Sequence, residues 1–181
     1  MRRVSIALAS LAVALGLAGP AAAQERTLPE LLAELSQPEA RDVDGLVAEI
    51  YRRWSRSGSR SMDLLVARGQ SALEMGDARR AVEHFSAAIE NAPEFAEAWN
   101  GRATAWYVQG EYGLSLADIR VTLALNPQHF GALTGLGLIL EETGDLARAY
   151  RAFRMAEAIN PHQPAVDAAL DRLSRILGSE A

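Results

Sequence analysis

The spacing of apolar residues along the chain predicts an all-α protein. Between residues 62 and 163, apolar positions recur every three to four residues in six successive segments, which is the period of a helix with one buried face. Two segments with the same period precede this region, and the second of them contains Val43, Leu46 and Ile50. One more follows it, with Val166, Leu170 and Leu173 on one side. The pattern therefore predicts helices from residue 27 to residue 177.

Glycine and proline residues divide the central region into three equal blocks. Glycines at intervals of 34 residues separate the two helical segments of each block, at Gly76, Gly110 and Gly144. Prolines at the same interval lie near the block ends, at Pro93, Pro127 and Pro161. We expect each glycine to end the first helix and the acidic residue after it to cap the second. Because a hairpin of this size cannot bury its apolar face alone, the three hairpins must stack on one another.

These blocks, 62–95, 96–129 and 130–163, closely resemble the tetratricopeptide repeat family. The middle block carries Trp99, Trp106 and Asn126-Pro127, and the small and aromatic positions of the other two are Gly69, Ala81, Phe85, Ala88, Gly137, Ala149, Phe153 and Ala156. The resemblance implies a right-handed α-solenoid of three helical hairpins. The departures, at Arg68, Arg102, Ser115, Ile119 and Thr122, affect local packing and remove none of the glycine and proline markers.

Helices are also predicted on both sides of the repeats. Residues 27–30 and 36–39 each match a capping box with proline in the first turn, so we expect one helix to begin at each. We interpret this pair, within residues 24–61, as an N-terminal helical cap, with a decayed fourth repeat as the alternative. Residues 164–181 are interpreted as a C-terminal capping helix, because the end of a repeat array needs a polar outer face.

Residues 1–23 have the pattern of a cleavable secretory signal peptide. Met1-Arg2-Arg3 is positively charged, residues 6–19 are apolar, and Ala21-Ala22-Ala23 suits signal peptidase. The alternative is an uncleaved anchor, but the apolar stretch 4–19 has 16 residues and a bilayer needs about 20. We therefore expect cleavage after Ala23, a periplasmic or secreted protein, and no membrane insertion after cleavage.

Composition and charge argue against catalysis and nucleic-acid binding. The chain has no cysteine and no lysine, and its formal net charge is −5. This excludes thiol and Schiff-base chemistry, and it disfavours nucleic acid as a partner. His84, His129 and His162 are far apart in the sequence, and we expect structural or solvated roles for them. With no nucleophile, base or metal-ligand pattern, the prediction is a non-catalytic protein without metal or cofactor.

The resemblance also implies a binding surface, because in the family the first helix of each repeat lines a concave groove. The corresponding positions here are Asp63, Val66, Gln70, Leu73, Glu97, Asn100, Thr104, Tyr107, Thr134, Leu138 and Glu141, with Glu74, Val108, Gly131 and Glu142 beside them. Asn100 is the strongest candidate, because its position in the family bonds the backbone of the ligand. These acids and apolar residues, without arginine, fit a protein segment with basic and apolar residues.

Chaperone-binding members of the family hold a partner's carboxylate with Lys, Asn and Arg side chains. This chain has Val66, Gln70, Gly101 and Gly135 at those positions, so no acidic tail is expected as the ligand. Gly131 and Gly135 interrupt a predicted helix, and an opening in the third repeat for a ligand chain is our hypothesis for them.

Two alternatives remain open, one for the concave surface and one for the arginines before the repeats. The exposed hairpins could stack into a homo-oligomer that has no peptide ligand. The arginines between Arg52 and Arg60 are interpreted as the solvated back of a helix, and a second contact surface is the alternative.

Overall fold

The computed structural model describes residues 26–179, and these form an all-α solenoid. Within them the helices are α1 (Leu28–Leu35), α2 (Val43–Trp54), α3 (Arg60–Glu74), α4 (Ala78–Asn91), α5 (Ala96–Val108), α6 (Tyr112–Leu125), α7 (Phe130–Glu142), α8 (Leu146–Ile159) and α9 (Pro164–Ser179). Pairs α3–α4, α5–α6 and α7–α8 are hairpins, and each packs on the next. The predicted fold class is confirmed, and the signal-peptide prediction lies outside the described residues.

The three glycine markers end the first helix of each hairpin, as predicted. Gly76, Gly110 and Gly144 have φ angles of 77°, 78° and 83°, in the left-handed region that glycine adopts without strain. The backbone N–H of Asp77 donates to the Ala72 carbonyl at 2.8 Å, which closes a Schellman-type turn. The chain therefore reverses at the same place in every repeat.

The predicted acidic caps form in two of the three hairpins. Asp77 and Asp145 accept hydrogen bonds from backbone N–H groups of α4 and α8, at 3.0 and 3.2 Å. Glu111 makes no such bond, so the prediction of a cap is wrong at that position. Glutamate is not among the preferred N-cap residues, which have the shorter side chains that reach the first turn.

Small residues on the first helices make room for the aromatic rings of the second helices. A Cβ atom at Gly69 would lie 2.7 Å from the Phe85 ring, and one at Gly101 would lie 2.3 Å from it. Likewise, a Cβ atom at Gly137 would lie 2.6 Å from the ring of Phe153. The packing roles expected for Gly69 and Gly137 are confirmed, and Gly101 gives the next repeat its contact with the same ring.

Replacing Ala81 with leucine is expected to destabilise the protein by about 1–3 kcal/mol, because the larger side chain would overpack a close helix contact. Ala81 is fully buried in the core of repeat one. Thermal unfolding followed by circular dichroism measures the change. The matched control is Ala147→Leu at an exposed position of α8, which should stay within about 0.5 kcal/mol. Equal stability of the two variants would contradict the packing described here.

The helix starts in the N-terminal region agree only in part with the predictions. The capping box at Thr27 is present, with Glu30 as its partner. The second helix begins at Val43 instead of at the predicted capping box of residues 36–39. Ser36 ends α1, because its backbone N–H donates to the Leu32 carbonyl. Asp42, at φ 52°, is the N-cap of α2.

Helices α1 and α2, residues 28–54, pack together as what we call the N-terminal hairpin. Its position differs from the one expected for a cap on repeat one. Its apolar faces share a core with two residues of repeat three, Phe130 and Ile159. The carbonyl of Gln37 also lies 2.9 Å from Nε2 of His162. The hairpin therefore folds back over the edge of the array instead of adding a layer to its start.

Helix α9 covers the other end of the array. It packs on α8, and its residues Val166, Leu170 and Leu173 share a buried core with Phe153. Between residues 26 and 179, no helix has the length and apolar character that crossing a bilayer requires.

Candidate functional site

A cavity of about 340 Å³ opens between helices α5, α6 and α7, where repeats two and three meet. It brings five of the predicted site residues together: Asn100, Thr104, Tyr107, Thr134 and Leu138. The remaining wall consists of Ala103, Val108, Ser115, Ile119, Gly131, Ala132, Gly135 and Ile139. The concave face predicted from the sequence thus contains a defined pocket.

The walls of this cavity are mainly apolar. Val108 and Leu138 remain 60% and 37% exposed at its edge, and Ile119 and Ile139 form buried parts of its wall. Among residues 26–179, none of the side chains that line it carries a charge. Such a cavity favours an uncharged apolar side chain, since a charged group would lose hydration there without gaining a partner.

Asn100 is the polar group of the cavity that is available to a ligand. Its side chain is half-buried and makes no hydrogen bond within residues 26–179. The hydroxyls of Thr104 and Thr134, by contrast, donate to the backbone carbonyls of Asn100 and Phe130, at 3.0 and 2.9 Å. A side-chain amide both donates and accepts, so Asn100 can bond an extended peptide backbone.

The acidic residues predicted for the groove are engaged in contacts within the protein. Asp63 accepts hydrogen bonds from the backbone N–H and the hydroxyl of Ser57. Both carboxylate oxygens of Glu141 accept from Arg172 of α9, at 2.8 Å each. Arg172, which lies outside the repeat positions considered in the sequence, thus pairs with the carboxylate of Glu141.

Glu142 joins the three helices at the end of the cavity. It accepts hydrogen bonds from the hydroxyls of Tyr107, at 2.5 Å, and of Tyr112. This carboxylate bond, with some burial, raises the pKa of Tyr107 to about 12. The same two bonds lower the pKa of Glu142 below its usual range. Glu142 thus stays ionised, and it fixes Tyr107 in the cavity wall.

The predicted site residues of repeat one lie apart from the cavity. Val66 is buried in the core of that repeat, and Leu73 packs against the same core. Gln70 is half-buried, and it is absent from the cavity wall. The structure therefore concentrates the candidate site in repeats two and three.

The two unexplained glycines of α7 both line the cavity. A Cβ atom at Gly135 would lie 3.6 Å from the Ile119 side chain, which is an ordinary contact. One at Gly131 would lie 2.4 Å from the Tyr51 hydroxyl. Gly131 therefore admits a residue of the N-terminal hairpin to the edge of the cavity.

An aromatic cluster at this edge was not found by the sequence analysis. His129, fully buried, stacks on Trp54 with ring centroids 4.5 Å apart. Its Nδ1 accepts from the backbone N–H of Ala132, so its Nε2 donates to Glu97 at 3.0 Å. Burial raises the pKa of Tyr51, and the charge of Glu97 adds to this effect. The predicted site residue Glu97 is thus a buried structural partner.

Two sets of arginines have partners inside the protein. Arg102, which departs from the family pattern, makes a two-point ion pair with Asp118 at 2.7 and 2.9 Å. Its guanidinium lies 4.9 Å from the ring centre of Trp99. In the predicted arginine cluster, Arg52 and Arg53 both pair with Glu49 of their own helix.

Within residues 26–179, no three potential metal-ligating side chains come together.

Comparison with known proteins gives related sequences along the repeats. The family model described as tetratricopeptide repeat matches residues 66–128 and 109–164. A TPR repeat-containing protein of Rhizobium etli is 35% identical over 122 residues, which are 67% of this chain and 60% of that protein. Tetratricopeptide repeat protein 36 of Bos taurus is 33% identical over 93 residues, 51% of this chain and 47% of that protein. The chain thus spans about half of these relatives, or slightly more.

Solved structures share the helical arrangement. The first TPR of Spaghetti (RPAP3) bound to an HSP90 peptide has a TM-score of 0.63 at 18% identity, over 66% of this chain and 95% of that chain. The crystal structure of MamA has a TM-score of 0.61 at 19% identity, over 75% of this chain and 78% of that one. These likenesses show the same fold.

Proposed function

Because this chain belongs to the tetratricopeptide repeat family, we propose that it is a non-catalytic interaction module that holds a segment of a partner protein in its concave face. The observation that carries this proposal is the cavity between repeats two and three. It combines an apolar wall with the unbonded side-chain amide of Asn100. A similarly folded domain, the first TPR of Spaghetti, was solved with an HSP90 peptide bound, which supports a peptide as the type of ligand.

The chemistry of the cavity indicates the type of segment. An aliphatic or aromatic side chain would enter the space beside Leu138 and Ile139, and Asn100 would bond the backbone on either side of it. The exposed carboxylate of Glu142, next to Tyr107, is the place where a basic residue of the partner would pair. An acidic tail is disfavoured, because Val66, Gln70, Gly101 and Gly135 occupy the positions of the family's carboxylate clamp.

The proposed place of action is outside the cytoplasm. The charged start, apolar stretch and alanine triplet of residues 1–23 support export with cleavage after Ala23. The partner would then be a protein of the periplasm or the exterior.

Replacing Leu138 with arginine is expected to reduce partner capture at least tenfold, because a charge would enter an apolar cavity. The measurement is photo-crosslinking in cells from Thr104, which lies in the cavity wall. Asn100→Ala should reduce capture by a smaller factor of about five, corresponding to one hydrogen bond of about 1 kcal/mol.

The matched control for this experiment is a crosslinker at Arg151, which is exposed on the second helix of repeat three. An adduct that forms from position 104 alone and is lost with Leu138→Arg supports the proposal. Equal adducts from both positions, or an adduct insensitive to Leu138→Arg, would show that the cavity is not the binding site.

Self-association is a second candidate function, favoured by apolar side chains that the fold leaves exposed. Met75 is 72% exposed, Met155 56% and Leu64 51%, and such residues are common in contacts between copies. Light scattering of the chain over a range of concentrations tests it. A constant monomer mass would exclude this candidate.

A further inference from the structure

The N-terminal hairpin and the connection that follows it lie along one edge of the concave face, near a repeat position that recurs every 34 residues. In the family register, that position is occupied by Asp63, Glu97 and Gly131. Asp63 is bonded by Ser57, which follows the hairpin. Glu97 bonds His129, the residue on which Trp54 stacks. Gly131 faces the Tyr51 hydroxyl. The hairpin thus contacts the Gly131 position directly and the Glu97 position through His129, and the connection that follows it bonds Asp63.

Aromatic contacts between α2 and the start of α7 hold the hairpin in place. The Tyr51 ring meets Phe130 edge to face, with centroids 5.4 Å apart. Trp54 lies 5.3 Å from the same ring and stacks on His129. Such ring pairs stabilise a contact beyond the apolar area that they bury. Tyr51 and Trp54 therefore act as two anchors, three positions apart on one helix face.

The hairpin is joined to the array by a short connection and lies beside one end of the cavity. Residues 55–59 link α2 to α3 and include Gly58 at φ 85°. The Tyr51 hydroxyl lies next to Gly131, which is itself part of the cavity wall. Movement of the hairpin away from α7 would therefore lengthen the groove beyond Gly131.

We propose that the N-terminal hairpin is an internal ligand of the concave face, which a partner segment bearing two aromatic residues on one helix face displaces. Tyr51 and Trp54 indicate that the surface formed by Glu97, His129 and Phe130 binds aromatic side chains. Displacement would join this surface to the cavity described above. The biological consequence rests on the proposed binding function, whereas the docking itself does not.

The test uses the hairpin as its own probe. A fluorescent synthetic peptide of residues 27–57 is titrated into the full chain, into the double variant Tyr51→Ala/Trp54→Ala, and into the control Ala48→Ser. Ala48 is exposed on the same helix. The tethered hairpin competes with the probe at an effective concentration on the order of millimolar. We therefore expect at least tenfold tighter binding of the probe to the double variant than to the other two chains.

A second probe peptide carries the two alanine substitutions itself and should bind none of the chains. The proposal is overturned if the first probe has the same affinity for all three chains. It is equally overturned if that probe fails to bind the double variant.

Hydrogen exchange shows whether the hairpin separates as a unit. In the double variant, the amides of α1 and α2 should exchange at least ten times faster, while those of α5 and α7 keep their protection. Unchanged protection of α1 and α2 would show that Tyr51 and Trp54 are not the anchors. Loss of protection in α5 and α7 as well would make the hairpin an inseparable part of the core.

The two proposals fail separately. Neither the probe titration nor hydrogen exchange requires a partner to bind in the cavity. If the crosslink from Thr104 is unchanged by Leu138→Arg, the proposed function is wrong, but the proposal for the hairpin is unaffected.

Discussion

Replacing Phe85 with alanine is expected to lower the free energy of unfolding by about 3–5 kcal/mol, the usual cost of deleting a buried phenylalanine ring. The ring is fully buried and contacts the backbone at Gly69 in its own repeat and at Gly101 in the next. The Cβ positions of both glycines point at the ring, so neither helix can fill the space with a side chain. Urea unfolding followed by circular dichroism measures the loss.

The effect of Phe85→Ala should extend beyond its own hairpin. Stability in a repeat array depends on the contacts between neighbours, and this ring is shared by repeats one and two. The control is Met75→Ala, at a position that is 72% exposed, which should stay within about 0.5 kcal/mol. A loss below about 1 kcal/mol for Phe85→Ala would contradict the shared packing.

The repeat architecture could be predicted from the sequence because its signals are local. A left-handed glycine such as Gly76 and a closing proline such as Pro93 act on the residues next to them. The same holds for the capping box at Thr27. Ser36 shows the limit of local signals. The capping-box pattern of residues 36–39 is compatible with a helix start, but in the structure the backbone N–H of Ser36 donates to the Leu32 carbonyl, so Ser36 ends α1.

The N-terminal hairpin shows what local patterns leave undetermined. The apolar stripe of α2 predicts that Trp54 is covered, and it does not say by which surface. In the structure the covering residues are His129 and Phe130, more than 70 positions away in the sequence. The one local signal at the acceptor side is Gly131, a glycine without a packing reason inside its own repeat. A helix glycine that no local contact explains can thus indicate close approach by a distant element.

The candidate site was predicted by position better than by charge. Asn100, Thr104 and Leu138 do line one cavity, because the repeat register fixes which side of the first helix faces inward. The sequence did not show that the side chains of Glu97 and Glu141 are paired within the protein. Their partners, His129 and Arg172, come from a loop end and from the C-terminal helix, which the repeat register does not place.

Replacing His129 with alanine is expected to destabilise the protein by about 3–5 kcal/mol, because it leaves Glu97 as a buried carboxylate without its partner. The Glu97 side chain is only 4% exposed, so water cannot replace the lost bond. The substitution also removes the acceptor for the Ala132 N–H at the start of α7 and the surface on which Trp54 stacks. Urea unfolding of the full chain gives the value.

A double-mutant cycle separates the cost of the buried charge from the cost of lost packing. If the unpaired carboxylate dominates, Glu97→Ala made in the His129→Ala background should restore part of the stability, because no charge is then left buried. If lost packing dominates, the second substitution will lower the stability further, because it enlarges the space left by the deleted imidazole. The first outcome would show that most of the loss in His129→Ala comes from leaving Glu97, on α5, without the donor at the start of α7. A buried carboxylate that loses its hydrogen-bond donor costs more than the intact bond contributes to stability.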